Sequence, residues 1–263
     1  MIASSSLRLA YPPIPGDQPA SPLNVVPPVP PKCSRRCIRR GEALYGAGEA
    51  FGVLYVVRIG ILKSFMVSDD GLMHVTGFSM AGDVIGLDGI ATGQHPGEVV
   101  ALDDAEVFVL PWARCEQWSL HSEHGHRLMM RVLAHEIVRS KELMIMLGAM
   151  HADQRIAIFL LDLSRRYSHL GYSPSQFVLR MTRQDIGSYL GLKLETVSRL
   201  LSRLHRDGTI QVRGKSIALL DFPALWRLSG LSSDSRRPTV TPIVDRDGEL
   251  VVAPEAGNGG ARR

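Results

Sequence analysis

Long apolar runs, cysteine and aromatic rings are what this chain has little of, and each shortage closes off a class of protein. No stretch reaches the roughly 18 uninterrupted apolar residues of a membrane-crossing helix, so no membrane partner is expected. The N-terminus lacks the apolar stretch of a secretion signal, which sets a cytoplasmic expectation. Three cysteines in 263 residues, Cys33, Cys37 and Cys115, are too few and odd in number for a disulfide framework. Aromatic residues make up 6%, so a core must be built from Leu, Ile, Val and Met; the length suits one large or two medium domains. No internal repeat is present. His121, Glu123, His124 and His126 cluster, but the helical H-E-x-x-H spacing of a zinc enzyme is missing. A solvated helix start accounts for the cluster, and the expectation is a protein with no metal site and no catalytic residues.

What is present is an uneven charge. Residues 1–40 carry six Lys/Arg against one Asp; 41–126 carry three against twelve Asp/Glu, a net of −9; 151–230 carry twelve against six, a net of +6. An acidic block followed by a basic one suggests two domains with different partners, the basic one able to meet phosphate. Scattered solubilising charge would give the same totals, so the motifs must decide.

Residues 1–31 are rich in Pro and Ser without an apolar period, and read as a disordered or extended arm. Short apolar runs then follow at 54–57, 61–67, 74–78, 84–85, 99–102 and 106–110, divided by Gly-containing turns such as Asp69-Asp70-Gly71. Many short strands at close spacing predict a small antiparallel barrel or jelly roll over 32–126. Strand signals stop near 113, and a long helix to 150 is expected. Over 127–150, Met130, Leu133, Ile137, Ser140, Met144 and Leu147 follow at steps of three and four, the seam of a two-stranded coiled coil. An ordinary helix packed on its own domain is the alternative; Val132, Leu143 and Ile145 widen the apolar face enough for one side to pack on the barrel. A further helix over 151–170 presents Ile156, Phe159, Leu160 and Leu163 on one face. Residues 209–220 alternate around Gly214-Lys215 as a hairpin. Beyond 231 a disordered tail is expected.

The segment 182–206 carries the function. Thr182 can cap a helix with Asp185 in its first turn. Ile186 and Leu190 face inward, Gly187 is small where a second helix approaches, and Gly191 permits a left-handed turn. A second helix from about Leu194 to Arg206 sorts into a core side, Val197, Leu200, Leu201 and Leu204, and a polar side, Glu195, Ser198, Arg199, Ser202 and Arg206. Arg can bond bidentately to guanine, Glu accepts from the cytosine amino group, and Ser suits either kind of base edge. This is a helix-turn-helix pattern with the hairpin as a wing. Thr182, Arg183, Lys193, Ser202, Arg203, Arg206, Arg213 and Lys215 are assigned to phosphate contact and positioning. Double-stranded DNA is the expected partner.

These residues, TRQDIGSYLGLKLETVSRLLSRLHR, closely resemble the DNA-binding helices of the CRP/FNR superfamily, FNR/FixK branch. The resemblance extends to 60–64, to 76–89 (TGFSMAGDVIGLDG), to Glu136-Ile137 and to 163–166 (LSRR), and covers about 41–229. It implies an α+β architecture: an N-terminal cyclic-nucleotide-binding-like β-roll, a long dimerisation helix, and a winged helix-turn-helix over 151–230. It further implies base reading by Glu195, Ser198 and Arg199, a TTGAT half-site in an inverted repeat, a homodimer, and contact with RNA polymerase. Recognition helices of such a dimer enter major grooves about 34 Å apart.

The chain departs from the family pattern at its cofactor sites. An FNR-type [4Fe–4S] cluster needs four ligands, and Cys33, Cys37 and Cys115 do not supply them. Where cyclic-nucleotide members hold phosphate with an arginine, this chain has Gly86-Leu87-Asp88 and His95-Pro96-Gly97-Glu98. A buried phosphate without a cation is unfavourable, so neither cluster nor cAMP is expected. Two readings of the cysteines stay open: ordinary residues, or redox thiols activated by Arg35, Arg36 and Arg39. Haem also stays open, with His74, His95, His121, His124, His126 and His135 in or beside the roll and no ligand singled out among them.

Overall fold

The structure, a computed structural model, describes residues 33–231. The arm expected over 1–31 and the tail expected beyond 231 lie outside the described residues.

Eight strands come first: β1 (Ser34–Ile38), β2 (Ala43–Tyr45), β3 (Val53–Ile59), β4 (Leu62–Val67), β5 (Met73–Ser79), β6 (Val84–Ile85), β7 (Glu98–Ala101) and β8 (Ala105–Pro111), with a 3₁₀ turn at Leu87–Ile90. They form two four-stranded antiparallel sheets, ordered β1-β8-β3-β6 and β2-β7-β4-β5. Side chains from both sheets, among them Ile38, Val57, Leu62, Val99 and Val107, fill the space between them. This is the expected β-roll. The central pair β3 and β8 does not follow simple alternation, and 54–57 are buried one after another. The reason is a second small cluster, in which Val56 and Phe108 pack with Val84, Leu110 and Cys33.

The helical part differs from the single long helix expected from 113. It breaks at Ser122 into α1 (Trp112–His121) and α2 (Glu123–Ala149). The Ser122 side chain accepts a hydrogen bond from the Gly125 N–H at 3.1 Å and caps α2. Gly125 lies so close to Trp118 that a Cβ there would come within 2.7 Å of the indole. Then follow α3 (Ala152–His169), β9 (Gln176–Val178), α4 (Arg183–Leu190), α5 (Leu194–Arg206), β10 (Ile210–Arg213), β11 (Ser216–Leu219) and α6 (Phe222–Ser229). The sheet β10-β11-β9 completes a winged helix-turn-helix behind the roll. Among the described residues no helix is long and apolar enough to cross a membrane.

The roll and the C-terminal part share one core. Ile61, Phe65, Val75, Phe78 and Met80 of the roll belong to the same buried cluster as Ile156 and Leu160 of α3, Leu190 of α4 and Val197 of α5. The Phe78, Phe159 and Tyr189 rings close a triangle with centroids 5.2–6.2 Å apart, within the range of favourable ring packing. Polar bonds reinforce the junction. The Phe78 carbonyl accepts from Arg139 Nη2 of α2 at 3.0 Å and from Arg166 Nη1 of α3 at 2.9 Å. Asp83 accepts from Arg166 Nη2 and from the Met80 N–H.

Because Leu160 is 1% exposed at the centre of this shared core, Leu160→Ala should cost about 2–5 kcal/mol. Roll and C-terminal part should then melt together in a single, lowered calorimetric transition. Two separate transitions, with the roll unaffected, would contradict a common core.

Candidate DNA-binding interface

The first helix of the pair, α4, starts on a reciprocal cap. Thr182 Oγ1 accepts from the Asp185 N–H at 3.0 Å, while Asp185 Oδ2 accepts from the Thr182 N–H at 2.8 Å and from its hydroxyl at 2.6 Å. The Thr182 hydroxyl proton is therefore engaged in the cap and is not free to meet a phosphate, as the sequence assignment had it. The helix ends on Gly191 in the left-handed conformation, φ +62°. Gly187 is small for a sharper reason than helix approach. A Cβ there would stand 2.6 Å from the carbonyl of Leu192, in the turn itself, and 3.6 Å from Val197.

That turn delivers α5 with its two sides separated. Val197, Leu201 and Leu204 are buried, and Leu200 is half-buried against the same core. Glu195, Arg199, Ser202 and Arg206 are exposed, and Ser198 is half-exposed beside them. Lys193 is the exposed N-cap residue of α5, and Arg183 is the exposed first residue of α4. Arg213 and Lys215 stand exposed at the tip of the β10–β11 hairpin, where Val212 pairs with Ile217 and two residues make the turn. One phosphate candidate is otherwise occupied: Arg203 Nη2 lies 3.6 Å from the Asp153 carboxylate at the start of α3.

Two anchors for α4 lay outside the sequence reading. Lys63 Nζ of β4 donates to Asp185 Oδ1 at 2.7 Å, with both side chains nearly buried. Burial pushes the Asp185 carboxyl up, but the bonds from Lys63 and Thr182 outweigh it and hold the group below its ordinary value. Arg155 bridges two helix ends. Its guanidinium donates to the Leu147 and Met150 carbonyls, at 2.7 and 3.0 Å, and to the Leu190 carbonyl at 2.9 Å. It satisfies acceptors that the ends of α2 and α4 leave open.

Along α2, Met130, Ser140, Met144 and Ile137 are exposed, Ile137 by 55%, and Leu133 is half-buried. Leu147, at the end of the stripe, turns toward Gly191. Met130, Ile137 and Met144 thus form an exposed apolar row along α2.

The comparisons with known proteins agree with this geometry. A Crp-like helix-turn-helix domain model matches residues 154–228, and a cyclic nucleotide-binding domain model matches 35–120. The transcriptional regulatory protein Btr of Bordetella pertussis is 41% identical over 74% of this chain and 81% of its own length. The chain belongs to the CRP/FNR family of transcription regulators. The fumarate and nitrate reduction regulatory protein of Escherichia coli is 38% identical over 74% of this chain and 78% of its own. Among solved structures, FixK2 from Bradyrhizobium japonicum matches with a TM-score of 0.69 and 31% identity, covering 75% of this chain and 97% of that one. This CRP/FNR member is thus a DNA-binding transcription regulator with the expected fold.

The candidate residues for cofactor chemistry lie in and beside the roll in the described structure. In the 86–98 stretch His95 is buried, stacked on Tyr45 at 3.7 Å, with its Nδ1 3.8 Å from Asp88 Oδ1. A Cβ on Gly86 would come 3.3 Å from the His95 ring. The buried imidazole and the Asp88 carboxylate thus lie together in this stretch. Cys33 precedes β1, Cys37 lies exposed in it, and Cys115 is on α1. For Cys33 and Cys115 burial outweighs any neighbouring arginine. Burial pushes Cys33 up, against a weaker pull from Arg114, and burial with Cys33 nearby pushes Cys115 to about 11. The histidines are dispersed. His74 lies 3.1 Å from Ser68 Oγ, His121 contacts the Gln117 carbonyl, His124 packs by Trp118, and His126 is exposed. Burial and the Arg139 charge hold His135 below its ordinary value. Among the described residues no group of three or more His, Cys, Asp or Glu is placed to hold a metal ion.

The Asp185 cap makes a pH-dependent contribution with a definite sign. Its folded pKa lies below the unfolded value of about 3.9, so the stabilisation is complete above about pH 4 and fades as pH falls through the folded value. Asp185→Asn should cost about 1–3 kcal/mol at pH 7 in urea unfolding, and the gap to the native protein should narrow as pH falls below about 4. A gap that stays constant over that range would show that the ionised carboxylate does not matter.

Proposed function

We propose that the chain binds DNA as a homodimer, reading an inverted repeat of TTGAT-type half-sites, and that it contacts RNA polymerase once bound. The observation that carries this reading is α5. One side of the helix is locked into the core by Val197, Leu201 and Leu204, and the other presents a carboxylate, a hydroxyl and a guanidinium, Glu195, Ser198 and Arg199, to solvent. In this reading Arg199 takes guanine O6 and N7, Glu195 accepts from the cytosine amino group, and Ser198 joins the same base edges. Arg183, Lys193, Ser202, Arg206, Arg213 and Lys215 surround that face and take phosphates, which set register without specifying sequence. Their number favours strongly salt-dependent binding.

The dimer half of the proposal rests on the exposed row Met130, Ile137, Ser140 and Met144, which repeats at coiled-coil spacing and carries no charge to repel a second copy. Binding is further proposed to need neither an iron–sulfur cluster nor a cyclic nucleotide, since three cysteines fall short of the four ligands a cubane takes and the 86–98 stretch holds no arginine.

Fluorescence anisotropy with an inverted-repeat duplex and a scrambled one, at moderate salt, tests the reading directly. Preference for the repeat should be clear and should be the same with or without added cAMP; equal affinity for both duplexes would refute it. Arg199→Ala should cost about 1–3 kcal/mol on the repeat and relax readout at the guanine. Equal weakening on specific and random DNA would contradict a base-reading role. Ile137→Glu, which sets like charges facing across the seam, should halve the mass seen by sedimentation; an unchanged mass would move the dimer interface elsewhere.

A further inference from the structure

Strand β5 is an edge strand, paired only with β4. Its outer side is not left to solvent. The Ser188 hydroxyl, from the middle of α4, accepts from the Val75 N–H at 2.9 Å and donates to the Met73 carbonyl at 3.0 Å. One side-chain oxygen thus satisfies a donor and an acceptor two residues apart, as a neighbouring strand would. Six residues C-terminal to the Thr182 cap of α4, this bond works together with Lys63, which rises from β4 to hold Asp185 at 2.7 Å. The Lys63 ammonium also lies 5.2 Å over the Phe65 ring and 3.6 Å from Met73 Sδ. Contacts within the roll thus also hold its direction.

We propose that Lys63 and Ser188 are positioning residues for DNA recognition: they lock the first helix of the helix-turn-helix to the open edge of the roll, and so set the separation and angle at which the two recognition helices of the dimer reach DNA. The proposal rests on the dimeric DNA-binding reading above. The rigid path is continuous. α4 hands its orientation to α5 through a turn too tight at Gly187 for any added atom. The roll in turn is tied to α2, the dimer helix, through Arg139 and the Phe78 carbonyl. Neither Lys63 nor Ser188 touches the exposed face of α5, so their loss leaves the base-reading groups intact. What is lost is the geometry linking one half-site to the other.

A one-base-pair change of spacer moves a half-site by about 3.4 Å and turns it by about 35°. A rigid dimer must give up its second contact, whereas a loosened one can follow. The test measures affinity for a single half-site and for inverted repeats with the optimal spacer and with one base pair more or fewer. The native protein should prefer the optimal spacer by about tenfold or more, because bivalent gain depends on simultaneous engagement. In the Lys63→Met/Ser188→Ala double variant that preference should fall to about threefold or less, with half-site affinity within about twofold of native. Lys63→Arg, which keeps the ion pair, should retain the native preference.

A double variant that keeps full spacer discrimination overturns the positioning role while leaving the DNA reading in place. A double variant that binds a single half-site much more tightly overturns it too, because the contacts would then be restraining α4 and not placing it. A native protein with no preference for any inverted repeat overturns the DNA reading and this proposal together. Thermal melting of each variant accompanies the binding data; if the double variant is not folded, Ser188→Ala alone takes its place, with the same spacer series and a partial loss of discrimination expected.

Discussion

The arrangement of this molecule depends on a short polar turn at the end of β5. The Phe78 carbonyl has two lone pairs, and a guanidinium occupies each: Arg139 from α2 and Arg166 from α3. Such a concentration of positive charge would be costly inside a protein if it stood alone. Asp83 answers it, and is itself held by the Met80 N–H and Arg166. His135, the other cationic candidate nearby, is held toward its neutral form by burial and by Arg139, so it adds little to the positive charge. The planar fork of arginine suits the task, since one guanidinium can reach a carbonyl and a carboxylate at once. Roll, α2 and DNA-binding part converge on a few atoms there, and the aromatic triangle of Phe78, Phe159 and Tyr189 packs beside them.

From that junction the route to function is short. Arg155 ties the ends of α2 and α4 together through three carbonyls. The Thr182–Asp185 cap starts α4, Gly191 ends it, and the turn places α5 with its apolar side inward. Recognition is thus a matter of geometry established elsewhere in the chain. The exposed side of α5 needs few contacts of its own, because its buried side, and the helix before it, are held by groups that never meet a base.

Much of this was legible in the sequence because it follows local rules. The strand runs, the Asp69-Asp70-Gly71 turn, the cap at Thr182, the glycine at 191 and the hairpin around Gly214 all declare themselves within a few residues. So does the division of α5 into two sides. The stretches 76–89 and 163–166, which carried the family resemblance, turn out to be the two ends of the Asp83–Arg166 contact. Their pairing across 83 residues of chain could not be read locally. Lys63 and Asp185 are farther apart still, at 122 residues, and nothing in either neighbourhood points to the other. Short elements were also lost. β9 has three residues, too few to show alternation. α6, by contrast, left a signal that was passed over: Asp221 caps the Ala224 N–H, Pro223 sits in the first turn, and Gly230 ends the helix with positive φ. The break at Ser122 was passed over although residues 121–127 carry no apolar period; the signal was the pairing of a Ser cap with a glycine three residues later.

Ser188 has a consequence beyond orientation. A bare sheet edge is an invitation to another strand, and proteins usually blunt such edges with charge, proline or a bulge. Here the guard is a hydroxyl on a neighbouring helix. Met66, Val67, Leu72 and Met73 already lie exposed around the same hairpin, so a departure of α4 would bare unpaired amides next to greasy side chains. Any excursion that frees α4 therefore also uncovers a sticky ribbon, which stays covered while the two halves are closed.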